Sequence, residues 1–227
     1  EYFMKINQTK IWHSQSLRYV KTHLNNSRFN DYDCFKTFKK KKINSTLDIG
    51  CGNGLMLDDI LNNYCRNSKK NIGIEASKKS IQLLRKKTFN KKINFKYCYA
   101  HNLPFDDEEF DLVYIWSVLH WIDRRHYLQS LGELLRVTKK YLVVMDWVEK
   151  IDFKVPYKHK KGFFTYKMDF DKVLSNSGIL KKIYEERWFV DNNEKKVIKN
   201  NNNKKINKNL RKVIIYKKKD ILKTIKF

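Results

Sequence analysis

The chain has 227 residues, and 49 Lys or Arg against 24 Asp or Glu give it a formal charge of +25. This length suits one domain with a full core between helices and a sheet, and 41% hydrophobic with 14% aromatic residues excludes an extended disordered chain. No run of 18 apolar residues occurs and the first thirty residues hold no hydrophobic signal region, which predicts no membrane span, no signal peptide and a cytoplasmic protein.

Apolar residues at helical spacing between Ile6 and Phe38, interrupted by the polar stretch 25–30, predict two short helices and a helical lid over 1–42. Ser45 to Ile49 reads as a short buried strand. Glycines at 50, 52 and 54 then allow a tight turn, and Leu55 to Cys65 carries apolar residues spaced for a helix. The alternation continues with a strand at Asn71 to Glu75 and a helix at Ser77 to Phe89 that Ser77 can cap. Strands follow at Ile93 to Tyr99 and Phe110 to Trp116, then a helix at Arg124 to Val137 and a strand at Tyr141 to Trp147. Strands alternating with helices imply a doubly wound, mostly parallel sheet with helices on both faces, its core at 43–150.

The pattern then changes. An insert at 151–168 precedes a helix at Asp169 to Asn176, which Gly178 stops. Leu180 to Val190 and Leu210 to Lys218 are strand-like with no helix between them, predicting an antiparallel last pair in a seven-stranded sheet. Between them, 191–209 holds eight asparagines and six lysines and is expected to be a mobile loop. The whole chain reads as a single domain.

Nine of the 49 basic residues are arginine and forty are lysine, beside only seven Gly and two Pro. Lys, Asn and Ile share A/T-rich codons, so codon bias explains this balance without a polyanion ligand, and sites that grip phosphate bidentately favour arginine. Residues 191–227 alone contribute +10. The four cysteines, Cys34, Cys51, Cys65 and Cys98, are far apart with no CxxC pair, which predicts reduced thiols and no metal site.

The residues that carry chemistry begin at the glycine turn. A turn of this kind at the end of a first strand lets backbone approach a ligand where open α/β sheets bind them. The G-x-G-x-G spacing of residues 50–54 lacks the G-x-x-G interval of the dinucleotide fingerprint, and no P-loop Lys-Ser/Thr follows. Glu75, at the end of the second strand, can accept hydrogen bonds from two ribose hydroxyls or serve as a surface carboxylate.

Leu47-Asp48-Ile49-Gly50-Cys51-Gly52-Asn53-Gly54 resembles the first motif of the class I S-adenosylmethionine-dependent methyltransferases. Leu103-Pro104-Phe105 with Phe110-Asp111-Leu112-Val113 is similar to a later segment of that family, and the similarity runs to Trp147. The resemblance implies S-adenosyl-L-methionine as cofactor, held by Asp48, Gly50, Cys51, Gly52, Gly54, Glu75, Ala76, Ala100, His101 and Trp116. Asp48 would sit near its amino group and Glu75 at its ribose. Tyr99 stands where many members have an Asp for the adenine amino group, so stacking and backbone contacts near Ala100 and His101 are expected instead.

The segment Ile115 to Trp121 lies where the family brings the methyl group to its acceptor. His120 can take a proton from an attacking hydroxyl or amine, or be structural. Trp121, with Tyr157, His159 and Tyr166 of the cationic and aromatic insert, forms the expected substrate side. The leading expectation is methyl transfer to oxygen or nitrogen of a small molecule, sugar-like or anionic. RNA remains the second reading, because tRNA wobble-uridine methyltransferases resemble the Ile115 to Arg125 pattern; an inactive scaffold is the third. Oligomeric state is not legible in the sequence.

Overall fold

The computed structural model describes residues 33–89, 92–148, 153–156, 164–191, 196–199 and 210–220. The helices expected before residue 33 lie outside the described residues. In chain order, β1 (Ser45–Ile49) leads to α1 (Leu55–Asn63), β2 (Lys70–Glu75), α2 (Lys78–Leu84), β3 (Asn94–Tyr97) and β4 (Phe110–Trp116). Then come α3 (Arg124–Val137), β5 (Thr138–Trp147), β6 (Phe153–Pro156), β7 (Phe164–Lys167), α4 (Phe170–Ser175), β8 (Leu180–Asp191), β9 (Lys196–Lys199) and β10 (Leu210–Lys218).

Among the described residues the main sheet runs β3-β2-β1-β4-β5-β10-β8-β9. Pairs within β3-β2-β1-β4-β5 are parallel, and β5-β10, β10-β8 and β8-β9 are antiparallel. The seven expected strands are all present. The eighth, β9, lies inside the stretch expected to be a loop: Lys-Val-Ile-Lys at 196–199 pairs with the far end of β8. The insert likewise folds back on itself as a β6–β7 hairpin.

The chain winds outward from β1 to β3 and then returns to place β4 on the other side of β1. That reversal opens a crevice at the carboxyl ends of β1 and β4, the usual ligand position in such sheets.

Every residue of β4 is buried, because both faces of the sheet are covered. Val113 and Ile115 pack with Leu131 and Leu134 of α3 and Phe170 of α4. Leu112 and Tyr114 pack on the other face with Leu57 and Ile60 of α1. Each fully buried apolar side chain of this size contributes about 1.5–3 kcal/mol, so the two layers fix which way the strands face. Asp33–Phe38 forms a 3-10 turn with Phe35 and Phe38 fully buried on the α1 face, so this part of the expected lid is core.

Helix ends follow local chemistry. The Ser77 hydroxyl accepts from Ser80 N and starts α2, and Asp123 caps α3 by accepting from Arg125 N. Helix α2 ends at Leu84 rather than Phe89. The chain tightens through i−3 bonds at Lys86 and Lys87, which brings the Phe89 ring 5.1 Å from that of Phe95.

Candidate active site at the carboxyl ends of the parallel strands

After Ile49 the backbone passes through left-handed conformations at Gly50, Gly52 and Gly54, with φ of +77°, +55° and +75°. The Ile74 carbonyl accepts from both Gly50 N and Cys51 N at 2.9 Å, which pins the turn to the end of β2. A Cβ at Gly50 would overlap the Val118 side chain, and one at Gly54 would lie 2.9 Å from the Phe89 and Phe95 rings. Cys51 points into the core beside Ile81 and Leu84. The positive φ and the close neighbours together require glycine, and the turn presents backbone in place of side chains.

Glu75 closes β2 and is buried. Its Oε2 accepts from Gly52 N at 3.2 Å and its Oε1 from Ala76 N at 2.8 Å, so the carboxylate is aimed by the turn itself. A carboxylate acts only as an acceptor, the chemistry that hydroxyl donors need. Asp48 is buried on the neighbouring strand, and its pKa is pushed up to about 8. Burial is the main cause; the nearby Tyr114 hydroxyl pulls it down, without completing a well-aligned hydrogen bond, and the Glu75 charge adds to the rise. Two buried carboxyls thus face one site, and a cationic group placed between them would relieve both.

The second half of the site lies one strand further along. Ser117, at φ +58°, turns the chain out of β4 into a 3-10 turn at Leu119–Trp121, while its N–H donates to Met145 O at 2.8 Å. This places His120 over the end of β5, where its Nδ1 lies 2.7 Å from Asp146 Oδ1. Asp146 Oδ1 also accepts from Trp147 N at 2.7 Å, and both residues are buried. A carboxylate only accepts, so Nδ1 carries the hydrogen and Nε2, across the ring, presents the lone pair. The pair has the geometry in which a carboxylate orients a histidine ring.

Around the Tyr99 departure the structure builds a stack of rings. The His101 ring lies 4.1 Å from His126 and 5.4 Å from Tyr99, both nearly parallel to it, and the Tyr97 and Tyr99 hydroxyls meet at 2.7 Å. Burial, then the His126 charge, lowers the His101 pKa, with Asp123 opposing. Ala100 is half-buried against the α3-side core.

Trp116 ends β4 among core side chains, its ring 6.0 Å from Phe35 and 5.5 Å from Trp188. Trp121 flanks His120 at 5.0 Å. Tyr166, on β7, is half-buried against the α3-side core, and β7 itself packs on the 3-10 turn that carries His120. Tyr157 and His159 lie outside the described residues. Sequence reasoning missed Asp146 and His126. Asp146 left a signal, an acidic residue inside the otherwise apolar strand Leu142-Val143-Val144-Met145, whereas His126 reads as one more polar position on a helix.

Residues 46–141 match the family model described as a methyltransferase domain. An O-methyltransferase from Penicillium expansum is 32% identical over 107 residues, 45% of this chain and 37% of its own. A ubiquinone biosynthesis O-methyltransferase from Pelagibacter ubique is 27% identical over 122 residues, 53% of this chain and 48% of its own. The chain thus spans less than half the length of the curated relatives it matches. Among solved structures, a SAM-dependent methyltransferase from Methanosarcina mazei superposes with a TM-score of 0.61 at 18% identity, covering 84% of this chain and 99% of that one. One from Aquifex aeolicus gives 0.56 at 20%, covering 88% and 97%. The glycine turn, the strand order and these likenesses together show the fold of the S-adenosylmethionine-dependent methyltransferases, with residues 46–141 matching the methyltransferase-domain model.

Proposed function

We propose that the chain transfers a methyl group from S-adenosylmethionine to a hydroxyl oxygen of a small molecule. The observation that carries this reading is the buried His120–Asp146 pair, set on the same strand-end rim as the glycine turn and Glu75. The residues present suit the cofactor's chemistry: the turn presents backbone without side chains at Gly50, Gly52 and Gly54, and the Glu75 carboxylate beside it is an acceptor of the kind ribose hydroxyls need. Asp48 would meet the amino group, and Ala100 with the His101 stack the adenine. When bound, S-adenosylmethionine supplies an electrophilic sulfonium methyl.

The protein's own work is positioning and proton removal. Asp146 holds the imidazole in one tautomer, and Nε2 accepts the acceptor's hydroxyl proton as its oxygen becomes nucleophilic. Burial of His120 beneath Trp121 and the β6–β7 hairpin limits water at that nitrogen. An oxygen acceptor is favoured because a hydroxyl must lose its proton on alkylation, which gives a base a reason to be there, and the curated relatives are O-methyltransferases.

The test is labelled methyl transfer with a panel of small phenols and, separately, tRNA. Label is expected in the small-molecule fraction and lost in His120→Ala with S-adenosylhomocysteine binding retained. Label in tRNA alone, or full activity in His120→Ala, would overturn the reading.

A further inference from the structure

Tyr114 lies within β4 and is fully buried, yet its hydroxyl completes no well-aligned hydrogen bond. A buried polar atom left in that state costs free energy and calls for a reason. The sheet register supplies one. Tyr114 is the β4 partner of Asp48, and on the other flank of Asp48 the β2 partner is Gly73, which has no side chain. The β5 partner of Tyr114 is Val143, an apolar member of the same core layer, and the tyrosine ring meets Phe35 edge-on at 5.4 Å. Of its two register neighbours, only Asp48 can accept from the hydroxyl. The other titratable groups that bear on the pair are Glu75 at the end of β2, Cys51 in the glycine turn and Cys65 after α1. Burial raises both thiols, so neither carries charge near neutral pH.

We infer, on the placement of Asp48 proposed above, that Tyr114 is a positioning residue for the cofactor's amino end: its hydroxyl donates to the Asp48 carboxylate once that group ionises, and so lets a buried strand carry the charge that an ammonium needs. A carboxyl set between a glycine and a core layer holds its proton near neutral pH, its pKa pushed up to about 8. Binding an ammonium there sends that proton to the buffer, and the new carboxylate then needs donors for its lone pairs. Tyr114 can serve at little cost, because its hydroxyl is already out of water and gives up no other well-aligned bond. The phenol also keeps its own proton, since burial first and the Asp48 charge second raise it well above its ordinary value.

Calorimetry on the full chain with S-adenosylhomocysteine, from about pH 6.5 to about pH 9.5, tests this in wild type and Tyr114→Phe. The variant should melt close to wild type at pH 7, since the hydroxyl has no well-aligned bond to lose. Losing a donor to the ionised form raises the Asp48 pKa, which leaves less carboxylate at a given pH until both proteins are fully ionised. Tyr114→Phe is therefore expected to bind about tenfold more weakly at pH 7, with its profile displaced toward alkaline pH by about one pH unit, and to come within about twofold of wild type at pH 9.5. In an Asp48→Asn background the same substitution should have no further effect, because no carboxylate is left to serve. An unchanged profile in Tyr114→Phe, an equal loss at every pH, a loss that persists in the Asp48→Asn background, or a melting point far below wild type overturns the role of Tyr114. Failure of wild type to bind S-adenosylhomocysteine, or wild-type affinity in Asp48→Asn, would instead overturn the cofactor placement, so the two failures are distinct. Tyr141→Phe, near the start of β5, is the control and should leave the profile unaffected.

Discussion

Asp48 carries the sharpest residue-scale consequence. A carboxyl whose folded pKa is about 8, against 3.8 as its ordinary value, holds a proton in the native state that the unfolded chain releases. Its contribution to stability is full below pH 4, declines as pH rises toward 8 and then levels off. Asp48→Asn removes that loss, so its melting temperature should exceed the wild-type value at pH 8, by a margin on the order of a few kcal/mol in stability, and match it near pH 4. On the proposed placement of Asp48 at the cofactor's amino group, cofactor affinity should fall in the same variant, and wild-type titrations in buffers of different ionisation enthalpy near pH 7 should register proton release on binding. His120→Ala and Asp146→Asn should each lower kcat about a hundredfold with cofactor affinity unchanged. The glycines, Glu75 and His120 could be singled out from spacing along the chain, and the structure brings them to one strand-end rim. Asp146 could not, because its partnership with His120 exists only through the β4–β5 register that sets Trp116 against Met145.

At the scale of elements, α4 is locked to the antiparallel strands through one carboxylate. Asp171 accepts from Lys182 Nζ at 2.9 Å, Lys212 Nζ at 2.7 Å, the Tyr216 hydroxyl at 2.8 Å and the Ser175 hydroxyl at 3.0 Å. Burial alone would raise its pKa, but the hydrogen bonds from Lys212, Lys182 and Tyr216 outweigh that and hold it well below the usual carboxylate range. Its stabilisation is therefore present above pH 4 and lost as the medium turns more acidic, the opposite sign to Asp48. Asp171→Ala leaves Lys182 and Lys212 with Glu185 alone and strips the buried Tyr216 hydroxyl of its acceptor, and should cost about 3 kcal/mol in a denaturant melt at pH 7. Helix α4 was readable from Asp169 and Gly178 at its ends, and α3 from its leucine face. The β6–β7 hairpin and β9 were not, because short polar segments such as Lys-Val-Ile-Lys gain strand structure from a neighbouring edge and carry no periodic signal of their own.

For the whole molecule, some of the basic side chains are neutralised by local ion pairs, while the net +25 is the excess of bases left after every acid is counted. At the starting ends of the parallel strands, the side away from the glycine turn, Lys70 pairs with Glu109 at 2.6 Å, Lys140 with Asp111 at 3.0 Å, Lys218 with Glu108 at 3.1 Å and Arg136 with Asp107 at 2.9 Å. A cavity of about 690 Å³ at the beginnings of β2 and β3 is lined by Lys69, Lys70, Lys92 and Lys96 together with Asp106 and Glu109, so it presents both signs of charge. Methyl transfer to a small acceptor should therefore fall no more than a few-fold between 50 and 200 mM salt, where an RNA substrate gripped by many phosphates would lose about a thousandfold in affinity. Among the described residues no helix is long and apolar enough to cross a membrane.

The most direct test of the account is a calorimetric titration of the full chain with S-adenosylhomocysteine, comparing wild type with Glu75→Gln. The substitution keeps the shape of the side chain and removes its charge, and since one of the two oxygens that accept from Gly52 N and Ala76 N becomes an amide nitrogen, a melting curve first establishes that the turn is intact before the proposed ribose anchor is judged. One-to-one binding by wild type, weakened at least about tenfold in a Glu75→Gln variant that melts normally, is the predicted result. No binding by the folded wild-type chain, or wild-type affinity in Glu75→Gln, would contradict the placement of the cofactor at the carboxyl ends of β1 and β2.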